Sequence, residues 1–178
     1  IRDNKVWLGY KCGDMAFQVP DYYESRETRF WQDDNGKKWR SLGNICWYTN
    51  LDIKKRHEDL VLFRKYTNEE YPRYINYDAI EVSKTERIPY DYDGIMGVPI
   101  TFLDKYNPEQ FEIIGIGNGG ELGVECGVSA NLSAEECSAL FREDKSFRKG
   151  KLCYRNANGK LIGCYARILI RKIKKDTL

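Results

Sequence analysis

LGNICWYTNLDIKKRHEDLVLFRKYTNEEYPRYINYDAIEVSKTERIPYDYDGIMGVPITFLDKYNPEQFEIIG, residues 42–115, is the stretch that decides how this chain folds. Asn44–Leu51 is a near-continuous apolar run, the pattern of a strand covered on both faces. Leu60–Tyr66 alternates apolar and basic side chains, a pattern open to strand or helix, of which a strand is expected. Ala79–Val82 predicts a short strand. Pro99–Tyr106 predicts a helix, with Pro in its first turn and a stop at Asn107-Pro108. Phe111–Ile116 then predicts a buried strand. Elements this short, in this order, describe a strand-rich domain rather than a helical bundle.

Working outward, Lys5–Tyr10 is a short apolar run followed by Gly13, and Met15–Pro20 is a second extended piece. Arg29–Ser41 alternates aromatic and polar residues around Asn35-Gly36, a strong hairpin signal. On the other side, Ser133 and Glu136 have the spacing of a capping box for a helix running to about Arg142. Leu152–Ile162 closes around a second hairpin pair, Asn158-Gly159. Tyr165–Ile173 predicts a long final strand with Ala166, Ile168 and Ile170 on one face and Arg167 and Arg171 on the other. With two or three short helices and no internal repeat, the fold class is α/β to α+β.

At 178 residues, with 42% hydrophobic and 31% charged residues, the chain can bury a core and is not of disordered composition. No apolar run approaches the roughly 20 residues of a membrane helix, and IRDNKVWLGY has neither signal-peptide nor transit-peptide character. The expectation is a soluble cytoplasmic protein. The opening lacks an initiator Met and runs straight into a strand, which predicts a piece of a longer protein. Six cysteines (Cys12, Cys46, Cys126, Cys137, Cys153 and Cys164) have no zinc-knuckle spacing, so reduced, mostly buried thiols are expected and no metal. The single histidine, His57, has no serine or cysteine elbow with which to form a hydrolase triad.

Net charge is +2, but it is unevenly distributed. Ten of the 29 Lys and Arg lie between Arg148 and Lys175, where there is no Asp or Glu; the rest of the chain holds 19 basic against 27 acidic residues, a net of −8. Such a block gives a positive field suited to phosphates; the alternative is a solvated edge strand with a basic tail. Lys54-Lys55-Arg56, with Phe63, Tyr66, Tyr71, Tyr74 and Tyr77 nearby, suits a groove that tracks a nucleic-acid backbone; the alternative is a solvated charge run beside core tyrosines. Trp31, Trp39 and Trp47 read as core. GIGNGG (115–120) matches a dinucleotide fingerprint, but ELGVECGVSANL after it does not read as a helix before Ser133, so the glycines are expected to serve a turn.

Residues 42–115, together with KVWLGYKCGDMAFQVPDYYESRETRFWQDDNGKKWRS (5–41) and YARILIRK (165–172), resemble the C-terminal half of the EcoRI-type adenine-specific DNA methyltransferases. Residues 117–163 carry no such resemblance. The family's Asn-Pro-Pro-Phe motif and its cofactor-binding strands are expected upstream of Ile1. NPEQF (107–111) is not that motif, because Glu109 and Gln110 replace the Pro-Phe that shapes its turn; it reads as a helix terminator.

The resemblance implies the C-terminal edge of a Rossmann-like, S-adenosyl-L-methionine-dependent methyltransferase sheet, followed by a strand-rich DNA target-recognition region. Residues 1–51 would supply the last antiparallel strands, Lys5–Tyr10 beside Asn44–Leu51, with a hairpin inserted at 12–43. Residues 52–178 would supply target recognition. The intact enzyme would methylate adenine in double-stranded DNA after flipping the base, and this chain alone would be inactive. Phe17, or failing it Tyr22, would stack on the flipped base from a loop after the first strand. Lys54, Lys55, Arg56, Arg148, Lys149, Arg167 and Arg171 would meet DNA phosphates. A stand-alone DNA-binding module and a non-catalytic interaction domain are the alternatives.

Overall fold

The computed structural model describes residues 1–24 and 29–174, except the side chains of 10–15 and 42–45. It divides into two compact units, one of residues Val6–Leu51 and one of Ile1–Lys5 with Asp52 onward.

The smaller unit is a three-stranded antiparallel sheet of β1 (Trp7–Val19), β2 (Phe30–Gln32) and β3 (Lys38–Thr49), with β3 in the middle. The two extended pieces expected at Lys5–Tyr10 and Met15–Pro20 are one strand. Three register shifts along β1 let it follow β3 from Trp7↔Thr49 to Val19↔Lys38, so the glycines bend the pairing without ending it. The Asn35-Gly36 turn forms as expected, with Gly36 at φ +77°. Asp33 organises it, accepting from the amides of Asn35 (2.9 Å) and Lys37 (3.0 Å) and from Trp39 Nε1 (2.9 Å).

The expectation that Asn44–Leu51 is buried on both faces fails. Trp47 and Tyr48 are 49% and 52% exposed, and Leu51 is exposed too. Trp31, Trp39 and Trp47 are likewise not core: Trp31 and Trp47 are exposed and Trp39 is half-buried. Apolar runs mark burial only where a second layer covers the sheet.

The larger unit contains β4 (Ile80–Glu81), β5 (Met96–Pro99), β6 (Phe111–Gly117), α1 (Glu121–Glu125), α2 (Ala134–Glu143), β7 (Cys153–Arg155), β8 (Leu161–Gly163) and β9 (Arg167–Lys172). Its main sheet has the order β4-β5-β9-β6; β4 and β5 are parallel, and β9 is antiparallel to both its neighbours. The final strand is therefore interior to its sheet. Ile168 and Ile170 join Ile80, Met96, Val98, Phe102 and Phe111 in one core, while Leu169 joins Tyr74, Val128 and Leu152 in another. A third cluster, Leu140, Phe147, Cys153 and Leu161, fixes α2 to the β7–β8 hairpin. That hairpin turns at Gly159 (φ +73°), as its Asn-Gly pair predicts.

Two further expectations are revised. Leu60–Tyr66 is extended but not a strand, with one bridge from Arg64 to Pro89. Its polar groups go elsewhere: the Gln110 amide brackets Leu60 (2.7 and 2.8 Å), and Tyr66 N–H donates to Asp91 Oδ1 (2.7 Å). The helix expected over Pro99–Tyr106 is present as a 3₁₀ helix, Ile100–Lys105, with Pro99 at its N-cap. α1 forms where no helix was expected. By contrast, the Ser133–Glu136 capping box is present as the spacing predicts: Glu136 N–H donates to Ser133 Oγ (3.2 Å) and Ser133 N–H to Glu136 Oε2 (2.7 Å).

Candidate nucleic-acid interface

The basic run of the C-terminal third does not stay together. In β9, Arg167 points inward, 14% exposed, and forks onto Glu81, which is 4% exposed. Its Nη2 lies 2.6 Å from Glu81 Oε1 and its Nε 3.0 Å from Oε2. Tyr74 Oη donates to the same carboxylate, and so does Cys164 Sγ at 3.4 Å. Burial opposes the Arg167 charge, but the Glu81 hydrogen bonds more than offset it and hold the guanidinium above its ordinary range. Burial, reinforced by Glu81, also pushes the Cys164 thiol and the Tyr74 phenol well up. These polar groups all find partners inside the fold.

The other cations of this strand are also paired. Arg171 donates to Glu112 across the β6–β9 ladder (2.8 Å). Lys172 donates to the Tyr90 carbonyl and lies 3.8 Å from Asp93, whose other oxygen is 3.2 Å from Lys174. Arg155 forks onto Glu143 (2.7 and 2.9 Å), an arrangement that holds the Glu143 carboxyl below its ordinary range. Lys175 lies outside the described residues. Among the described residues, Arg148, Lys149, Lys151 and Lys160 have no carboxylate within 4 Å.

Lys54, Lys55, Arg56 and His57 share one 3₁₀ turn. Lys55 Nζ meets Asp104 Oδ1 at 2.7 Å. His57 is bracketed by Asp52 (Nε2, 2.7 Å) and Glu109 (Nδ1, 3.5 Å). The Asp52 hydrogen bond in particular raises its pKa. Lys54 projects into solvent. Asn107 ties this turn down: its Nδ2 donates to Asp59 (2.9 Å) while its Oδ1 accepts from Glu109 N–H (2.9 Å). NPEQF is thus an anchoring turn. Of the neighbouring aromatics, Tyr71 and Tyr74 are core, Tyr66 and Tyr77 are half-buried, and Phe63 is exposed.

The end of α2 differs from both. Phe141 is 42% exposed, with Lys145 Nζ 4.7 Å and Arg148 Cζ 5.4 Å from its ring centroid. Phe141, Phe147, Arg142, Arg148 and Lys149, with Cys137 and Ser138, line an open hollow of about 390 Å³. Sequence reasoning found Arg148 and Lys149 but missed Phe141, Arg142 and Lys145, because Glu143 and Asp144 between them dilute the local charge.

Phe17 lies within β1 rather than in a loop after it, opposite Arg40 and 43% exposed. Tyr22 is almost fully exposed beyond the end of the strand. GIGNGG ends at the N-cap of the five-residue α1. The turn is filled by the chain itself: Gly119 N–H donates to Gly150 O (3.0 Å), and a Cβ at Gly123 would collide with that same oxygen. The glycines here serve a close approach of backbone to backbone. Among the described residues no group of three or more His, Cys, Asp or Glu is placed to hold a metal ion, and no helix is long and apolar enough to cross a membrane. The five described cysteines are free, with Cys153 and Cys164 buried.

These features define a mixed α/β chain with exposed aromatic and cationic surfaces. The family described as adenine-specific methyltransferase EcoRI matches residues 1–173, and the chain belongs to that family. It is 54% identical over 118 residues to the type II methyltransferase M.EcoRI of Escherichia coli, covering 64% of this chain and 36% of the relative. Over 182 aligned residues it is 36% identical to the type II methyltransferase M.MgeORF184P of Mycoplasma genitalium, covering 97% of this chain and 51% of the relative. It is 37% identical over 120 residues to the type II methyltransferase M.MpnI of Mycoplasma pneumoniae, covering 64% and 37%. The chain therefore spans about half the length, or less, of the curated relatives it matches. No solved structure matches it.

Proposed function

We propose that these residues are part of a site-specific DNA methyltransferase that methylates the N6 amine of adenine in double-stranded DNA, in the cytoplasm, with S-adenosyl-L-methionine as methyl donor. Within it the chain contributes DNA recognition and does not methylate alone. The match of the adenine-specific family over residues 1–173 carries this reading. Two observations support the division of labour: the 178 residues contain no Asn-Pro-Pro-Phe, and the glycine turn leads into a helix of only five residues and bonds to the chain's own Gly150.

In this reading the antiparallel pair formed by the start of β1 and the end of β3 is the C-terminal edge of a Rossmann-like sheet. Residues 12–43 extend that pair outward, and residues 52–178 form the target-recognition region. Phe17 remains the candidate to stack on the flipped adenine, with Tyr22 second; both rings are accessible. Lys54, Arg148 and Lys149 are the proposed phosphate contacts among the cations singled out in the sequence, with half-buried Arg56 beside Lys54 in the same turn. Lys55 and Arg171 are already paired with Asp104 and Glu112 and are not counted among them. Arg167 serves the fold instead, since freeing it would strand the Glu81 charge in the interior.

The experiment compares the 178-residue chain with the whole enzyme, using duplex DNA and S-adenosyl-L-methionine carrying a labelled methyl group. The expected result is retention of duplex DNA by both and labelled N6-methyladenine from the whole enzyme only. Methyl transfer by the 178-residue chain alone would overturn the division proposed here.

A further inference from the structure

We propose that the end of α2 and the turn after it form a platform for the DNA sugar–phosphate backbone, with Arg142, Lys145, Arg148 and Lys149 arranged around the Phe141 ring. This inference rests on the reading that the chain binds duplex DNA. It adds a site within residues 117–163, where the sequence showed no resemblance but over which the family match extends.

Four observations converge. First, all four cations are exposed, and among the described residues none has a carboxylate within 4 Å. The two acids between them are already engaged: Glu143 is forked by Arg155, and Asp144 accepts from both the amide (2.7 Å) and the hydroxyl (2.9 Å) of Ser146. Second, Phe141 gathers two like charges at one ring, which concentrates positive charge on this part of the surface. Third, the hollow of about 390 Å³ beside the ring is open to solvent and has room for a phosphate and its sugar.

Fourth, the support is stiff. Leu140 and Phe147, on either side of the patch, are buried against Cys153 and Leu161, and the capping box fixes the other end of α2. Attraction to the helix C-terminus accounts for Arg142, and Arg148 also donates to the carbonyls of Lys145 (2.7 Å) and Phe147 (2.6 Å). Neither effect accounts for Lys145 and Lys149, which lie beyond the helix. Because the cations sit over the ring, the platform offers charge to a phosphate rather than a bare stacking face to a base.

Duplex binding by the 178-residue chain, followed by fluorescence anisotropy between about 50 and 200 mM salt, tests this. The wild type is expected to bind with log affinity falling linearly in log salt. R142Q/K145Q/K149Q should weaken binding roughly tenfold and flatten the slope by about 0.9 for each phosphate no longer neutralised. The charge-keeping R142K/K145R/K149R should restore the slope, and R171Q should leave it unchanged. These positions are exposed, so the fold is kept, and circular dichroism of each variant verifies it. If the wild type binds and the glutamine variant keeps its slope, the platform is wrong while DNA binding stands. If the wild type does not bind duplex DNA in a salt-dependent way, the underlying reading fails and the platform with it.

Discussion

Residues 142–149 and residues 167–174 each contain four Lys or Arg in eight positions, and the structure treats them in opposite ways. The second segment contains no acid of its own, yet its cations find Glu81, Asp93 and Glu112, and Arg167 and Arg171 lie 86 and 59 residues from their partners. The first segment has Glu143 and Asp144 within it, yet its cations are left without carboxylates because those acids are turned to Arg155 and Ser146. Sheet register brings distant charges together, while helix and turn geometry can point adjacent charges apart. A window of sequence charge therefore misstates the field in both directions, and the surface available to phosphates has to be read after pairing.

The sharpest way to break this contrast is to truncate the two arginines of β9. Arg167→Ala leaves Glu81 charged and enclosed, so it should cost about 3–5 kcal/mol of stability. Arg171→Ala removes a surface pair and should cost less than about 1 kcal/mol. Urea unfolding of the two variants compares them directly. Equal losses would mean that Glu81 is not enclosed as described.

The same interior should show itself in alkali. Burial pushes the Cys153 thiol up to about 12 and raises Cys164 and Tyr74 as well. Unfolded thiols ionise near roughly 8.5. Because the folded pKa values lie above the unfolded ones, the stability these groups contribute is fully present below about pH 8.5 and is lost as pH rises from there towards 12. The fall is at most about 1.4 kcal/mol per pH unit for each thiol. Unfolding midpoints should decline steadily as the solution is made more alkaline, and Cys164→Ala should decline less steeply than the wild type. A flat profile would place the thiols near solvent.

The smaller effect concerns the support of the α2 patch. Ser133→Ala removes one half of the capping box and should cost about 1 kcal/mol. Amide exchange should quicken in the first turn of α2 and leave β9 protected. Global loss of protection would show that α2 is part of the main core rather than a separately held element.

What could be read from the sequence was local or directly patterned. The Ser133–Glu136 spacing and the Asn35-Gly36 and Asn158-Gly159 pairs specify structure among near neighbours in the chain, and each forms as expected. The alternation in Leu60–Tyr66 was a weaker guide, because a strand needs a partner and here Gln110 and Asp91 satisfy the backbone instead. Trp47 and Tyr48 look like core residues until the sheet is seen to lack cover over them. The family was legible from residues 42–115. The Glu81–Arg167 pair was not, since nothing near either residue in sequence predicts the other. The Phe141 patch was hidden for the complementary reason, that two neighbouring acids mask it.

Residue-resolved amide shifts of the isotopically labelled 178-residue chain, recorded while short duplex DNA is added at low salt, test most directly how its cations are divided. Shifts should concentrate at 137–151 and at the Lys54–His57 turn, should collapse back as salt is added, and should leave Arg167–Lys172 nearly unmoved. Shifts centred on Arg167–Lys172, or none at any position, would contradict the division of the cations between fold and DNA.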